Sequence, residues 1–172
     1  METQSLKVEL GGGTNPRDGY LNVDICECAD IRWNLNDTPW PLASDSVEEL
    51  YSSHCLEHVE DSNAALHEIA RICKIGAHIE LRVPHPGSGM ALCTGHNHVL
   101  SPQQMENSCI HFPDDFFPDK KLVLLHTEYG PTTWLQEAKK ELPFLRTLPD
   151  HVIMKYIPNT CHESIFKLSV AR

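Results

Sequence analysis

Three consecutive glycines, Gly11-Gly12-Gly13, stand directly after the alternating run Leu6-Lys7-Val8-Glu9-Leu10, and a carboxylate, Asp24, lies in the next such run, Tyr20-Leu21-Asn22-Val23-Asp24-Ile25. Glycines at a strand end permit positive φ and let a ligand approach the backbone where a Cβ would obstruct it. A plain turn has the same composition. Asp24 adds to the glycines, because a carboxylate at the carboxyl end of a strand can accept hydrogen bonds from both hydroxyls of a ribose. A dinucleotide site needs a helix N-terminus after the glycines to hold the pyrophosphate, and an acid roughly 20 residues further on. Here Asp24 follows Gly13 by 11 residues, and Thr14-Asn15-Pro16-Arg17-Asp18-Gly19 is turn sequence, too short for a crossover helix. Pyrophosphate recognition is therefore disfavoured, while other adenosine cofactors fit.

A second group of residues could move protons or hold a metal. His54, His58, His85, His96 and His98 are base candidates, since an unperturbed imidazole changes charge near neutral pH, each with the alternative of a capping or surface role. His54 and His85 are taken as the catalytic pair. Cys93, His96 and His98, with His85, raise a zinc reading, but their spacing matches no standard site, and neither this set nor Cys26-x-Cys28 is expected to hold a metal. Trp33, Trp40 and Trp134 are expected as core or rim packing.

These residues must be positioned by strands and their connections. Strands are expected over 6–10, 20–25, 30–35 and 47–52, followed by one helical turn over 53–59. Asp61 reads as an N-cap, and Ala65, Leu66, Ile69, Ala70, Ile72 and Cys73 fall on one helical face that ends near Gly76. A strand over 77–83, stopped by Pro84, completes a right-handed crossover, so the strands from 47 to 83 should lie parallel. Beyond a Gly, Pro and His-rich loop over 84–100, helices are expected from Ser101 to about Asn107 and from Thr133 through Leu142, each opened by a capping box. Strands are expected over 121–126, 152–157 and 164–170, forming an antiparallel edge. The fold class is α/β, a three-layer sandwich around a mostly parallel, Rossmann-like sheet.

The run Leu10-Gly11-Gly12-Gly13-Thr14-Asn15-Pro16, then Gly19-Tyr20-Leu21-Asn22-Val23-Asp24, resembles a compact subgroup of class I S-adenosylmethionine (SAM)-dependent methyltransferases. Asn36-Asp37-Thr38-Pro39-Trp40-Pro41-Leu42, Asp45-Ser46-Val47, Tyr51-Ser52-Ser53-His54-Cys55-Leu56-Glu57-His58 and Glu68-Ile69-Ala70-Arg71-Ile72-Cys73-Lys74 follow in the family's order, so the resemblance covers about residues 6 to 86. It implies SAM as cofactor and S-adenosylhomocysteine as product. By this resemblance Gly11, Gly12 and Gly13 flank the methionine portion, Asp24 binds the ribose, and Ile25, Asn34 and Leu35 border the adenine. Ser53 and His54 would face the cofactor and the substrate mouth. Many relatives carry Asp where Asn34 stands, so a carboxylate contact to the exocyclic amine becomes an amide contact. Two departures stand out: Lys74-Ile75-Gly76-Ala77 replaces the usual Lys-Pro-Gly-Gly turn, and no helix precedes the first strand. A homo-oligomer or partner subunit closing the site would answer the second.

Composition bounds the rest. The chain has 172 residues, 41% hydrophobic and 22% charged, which suits one domain over 1–172 with 84–118 and 129–160 as substrate or lid elements. A formal charge of −10 excludes the basic footprint that long nucleic acids require. No apolar run is long enough to span a membrane, Met1-Glu2-Thr3-Gln4-Ser5 lacks a signal-peptide pattern, and seven scattered cysteines suit reduced thiols, so a cytoplasmic location is expected. The function expected is methyl transfer to a small metabolite or sugar; a non-catalytic SAM-binding regulatory or scaffolding module is the alternative, and a zinc-dependent protein the third.

Overall fold

The computed structural model describes residues 6–158 and 160–172, apart from the side chains of Thr133, Trp134 and Tyr156; the expectations on Met1–Ser5 and on the Thr133 and Trp134 side chains lie outside these described residues. Seven strands form one sheet, β1 (Leu6–Leu10), β2 (Leu21–Asp24), β3 (Ile31–Arg32), β4 (Val47–Ser53), β5 (Cys73–Pro84), β6 (Lys121–Pro131) and β7 (Cys161–Ala171), in the order β3-β2-β1-β4-β5-β7-β6. Strands β1 to β5 pair in parallel, and β7 runs antiparallel to both β5 and β6. The strand order reverses between β1 and β4, which places the loops after these strands at the topological switch point where ligands bind.

Helix α1 (Ser62–Ile72) forms as its sequence dictates. Asp61 Oδ1 accepts from the amides of Asn63 and Ala64, and Ala65, Leu66, Ile69 and Ile72 are buried against the sheet. The helix ends at Ile72, short of Gly76, because Cys73 already pairs with Val47 in the ladder between β4 and β5. Short helices α2 (Pro102–Glu106) and α3 (Pro113–Phe116) contribute Met105 to the same core, with Cys109 and Phe117 beside them. Helices α4 (Thr133–Glu141) and α5 (Asp150–Tyr156) contribute to a satellite core of Leu135, Ala138, Leu145, Ile153, Met154 and Cys161. The strand expected over 152–157 is therefore a helix. Its apolar run is too short to carry a period of its own, and packing against Leu135 and Leu145 decides the matter. The third expected strand shrinks to Ile31–Arg32.

The crossovers before β4 hold no helix. On one sheet face Glu49, Tyr51, His78, Glu80 and Lys167 line an open groove of about 240 Å³ with Arg17 and Tyr20. There the Arg17 guanidinium stacks 3.6 Å from the Tyr51 ring. On this side the cover that a three-layer sandwich supplies with helices is given by loop residues.

Residues 33–46 are clamped to α1 by one polar network. Glu68, 8% exposed, accepts from the Trp40 amide at 2.6 Å and from Arg71 at 2.6 and 2.7 Å, and Arg71 donates onward to the carbonyls of Trp40 and Leu42. Burial works against the Glu68 charge, yet the hydrogen bonds from Arg71 and the Trp40 amide outweigh it and hold its carboxyl below the usual range. A carboxyl depressed in the folded state contributes stability that is present at neutral pH and lost as pH falls through the carboxylate range. Denaturant titrations should show Arg71→Ala costing roughly 2 kcal/mol, since it strands buried acceptors. They should also show Glu68→Gln flattening the acid limb of the stability–pH curve.

Candidate functional site

The glycine loop is held by residues of the neighbouring strand. The Asn22 side chain, fully buried, accepts from the Gly12 amide at 3.0 Å and donates to the Gly13 carbonyl at 3.2 Å. Asp24 Oδ2 accepts from the Gly13 amide at 2.9 Å, and Oδ1 accepts from Cys26 at 2.8 Å. A carboxylate offers about four acceptor positions, so each Asp24 oxygen keeps one for a ligand. Gly11 has φ +74°, and a Cβ there would lie 2.5 Å from both Cβ and Sγ of Cys55 at the end of β4. Gly12 is barred from a side chain by Asn22 Oδ1 at 2.6 Å, whereas Gly13, at φ +57°, faces open space.

Beside this loop is a cavity of about 320 Å³, lined by Gly11, Asp24, Ile25, Trp33, Asn34, Leu35, Asn36, His54, Cys55 and His58. The volume is that of a small-ligand site. Ile25 is 66% exposed at its lip, an apolar side chain with no core to join, and Leu35 is buried on the same wall. Asn34 Oδ1 accepts from the Asn36 amide at 3.1 Å, so its amide caps a turn while lining the cavity. Trp33 is rim and Trp40 is core. Ser53, Gly12 and Gly13 do not line the cavity; Ser52, next to Ser53, is buried and donates to the Leu10 carbonyl at 3.3 Å.

His54 occupies the left-handed region at φ +51°, uncommon for a residue with a Cβ and a conformation that clusters at functional sites. This backbone places the ring between two carboxylates, with Nδ1 3.4 Å from Glu57 Oε1 and Nε2 3.5 Å from Glu163 Oε2. Glu57 above all, and then Glu163, raises the pKa of the imidazole against the opposing effect of burial. Cys55 is a poor nucleophile, since burial pushes its thiol up to about 12. His85 is not brought to this cavity. It is buried, accepts from the Gly87 amide through Nδ1, and lines a second cavity of about 330 Å³ with Ser101 and Pro102. Of the cysteine and histidine set at 85–98, Cys93 is exposed and His98 Nε2 donates to the Glu60 carbonyl.

Sequence reasoning missed Asn22, Glu57 and Glu163 as parts of this arrangement. Asn22 carried a signal, an amide at the inward position of an apolar strand. Glu57 stood unassigned inside the Ser-His-x-Leu-Glu-His run. Glu163 reaches the site only through β7.

Residues 19–81 match the family model of the methyltransferase domain, Methyltransf_11. Comparison with curated proteins gives no match. The architecture is that of solved SAM-dependent methyltransferases. One from Mesorhizobium loti aligns with TM-score 0.61 at 16% identity, covering 95% of this chain and 90% of that one. Another from Archaeoglobus fulgidus gives 0.61 at 12%, covering 96% and 86%. The geranyl diphosphate C-methyltransferase of Streptomyces coelicolor A3(2), in complex with Mg2+, geranyl diphosphate and S-adenosylhomocysteine, gives 0.59 at 15%, covering 96% and 73%. The fold is thus the Rossmann-like α/β fold of this enzyme class. No described helix is long and apolar enough to cross a membrane.

Gly11→Ala tests how tightly the loop is fitted. Positive φ and the Cys55 approach act together, so the substitution should cost at least about 2 kcal/mol in chemical denaturation. Gly13→Ala meets only the conformational penalty and should cost about 1 kcal/mol.

Proposed function

We propose that this chain transfers a methyl group from SAM to a small acceptor, with the cofactor in the cavity between the glycine loop and His54. The observation that carries the reading is Asp24, whose carboxylate stands at the carboxyl end of β2 beside the Gly11 turn and the exposed side chain of Ile25. In this reading Asp24 accepts from the ribose hydroxyls, Ile25 and Leu35 sandwich the adenine, and Asn34 meets its edge. Gly11, Gly12 and Gly13 border the methionine portion, with Gly11 on the cavity wall. Ser53 and His54 end β4 on the methyl side.

SAM supplies an activated sulfonium methyl, so the protein needs chiefly to align an acceptor in line with it and, for a protonated acceptor, to take up a proton. His54, oriented by Glu57 and Glu163, is the residue proposed for that proton. The whole of 1–172 acts as one methyltransferase domain, with 84–118 and 129–160 shaping the acceptor side, and His85 belongs to that side through its own cavity.

Calorimetric titration with S-adenosylhomocysteine tests the cofactor site. Binding is expected in the wild type and at least tenfold weaker in Asp24→Ala, which corresponds to about 1.4 kcal/mol. Absence of binding would sink the reading. With binding established, labelled methyl transfer from SAM across a panel of small acceptors separates an enzyme from a SAM-binding module, and His54→Ala should lower turnover by about 100-fold.

A further inference from the structure

Glu57 is a buried carboxylate whose approach to the His54 imidazole leaves both of its oxygens without a hydrogen bond. The residue is 2% exposed, and both carboxylate oxygens are buried without a hydrogen-bond partner; the 3.4 Å approach of His54 Nδ1 is longer than such a bond. His96 Nδ1 is likewise buried without a partner. A buried charge is costly unless it is paired and hydrogen-bonded, and with His54 as a counter-charge but no hydrogen bond Glu57 keeps acceptor positions for a further cation. Ligand atoms of Glu57, His58 and His96 all lie within 4.8 Å of one another. We propose that these three residues form a binding site for a divalent transition-metal ion of the zinc class.

The surroundings are arranged as a metal site requires. His58 Nδ1 donates to the Gly95 carbonyl at 2.9 Å, which fixes the tautomer and leaves Nε2 with a free lone pair, the usual outer contact of a ligating histidine. The rings of His58 and His96 meet edge to face, with centroids 4.7 Å apart. The segment carrying His96 is tied to the segment carrying the other two. The amides of Asn97 and His98 donate to the Glu57 carbonyl at 2.7 and 3.2 Å, and Asn97 Nδ2 donates to the His58 carbonyl at 2.8 Å. The ligands are thus held in place by backbone contacts before any ion arrives. Zinc bonds of about 2 Å set ligand atoms on the order of 3.5 Å apart, so a contraction of about an ångström closes the site.

Two imidazoles and one carboxylate are a borderline donor set, suited to Zn2+ and its neighbours, whereas Mg2+ and Ca2+ demand oxygen. Three protein ligands leave a fourth position for water, and His58 is the one of the three that also lines the cavity beside Gly11. His96 belonged to the metal set considered from sequence, but its partners here come from the Leu56-Glu57-His58 turn in place of Cys93 and His98.

The test titrates the full chain, stripped with a chelator, with Zn2+ alone by calorimetry and thermal melting. One ion per chain is expected, with a raised Tm, and Mg2+ should not compete. His58→Ala/His96→Ala should weaken Zn2+ binding by at least tenfold and abolish the Tm rise. Glu57→Gln should do the same while leaving the metal-free protein folded, because the amide keeps the shape of the carboxylate it replaces. Cys26→Ser/Cys28→Ser and Asp24→Ala should each bind Zn2+ normally, so this inference and the cofactor reading fail separately. Failure of the wild type to bind Zn2+, binding unchanged in the histidine double variant, or binding lost with the cysteine pair would each overturn the proposal.

Discussion

The close approach of the Gly11 backbone to Cys55 is the contact on which the arrangement of the site depends. The turns leaving β1 and β4 cross there with no space for a Cβ, and this proximity is what lets the end of β2, bearing Asp24, and the end of β4, bearing His54, share one cavity. Asn22 secures it from the other side. Its buried amide uses both ends on the glycine loop, so the loop is held by hydrogen bonds that a shifted register would leave unmet. Wider spacing at this point would separate the carboxylate from the histidine without disturbing either strand.

Energy in this fold is distributed unevenly. The buried core lies on the side of α1, α2 and α3, where Leu10, Leu50, Leu81 and Phe166 pack with the helices. The opposite face of β1, β4, β5 and β7 is dressed with charges, among them the pair Lys7 and Glu49 and the cluster of Glu80, Arg82 and Lys167. Partly exposed pairs of this kind contribute little individually and are screened by salt. The parallel strands therefore alternate in character, where strands covered on both faces would read as unbroken apolar runs.

That alternation is also why much of the fold was legible in the sequence. Leu6–Leu10 and Leu21–Asp24 carry a period of two in their sequence, and α1 carries both its period and its Asp61 cap. The misread segments are those whose state is decided from a distance. Val152–Ile157 follows its partners in the satellite core, and Cys73 follows Val47 into the sheet. The site divides in the same way. Gly11, Asp24 and Ile25 are neighbours along one loop-and-strand path and could be read together. Glu57 with His96, and His54 with Glu163, are joined only by the register of β7 and by the return of the chain after β5.

Asn97 and His98 fasten the long connection between β5 and α2 to the Glu57–Glu60 backbone. Loop entropy grows with the logarithm of length, so a fastening inside the connection replaces one long tether by two shorter ones and removes freedom from both. The Met90 turn and the buried Leu100 thus lie on opposite sides of this fastening, and a change of length or sequence on one side is insulated from the other.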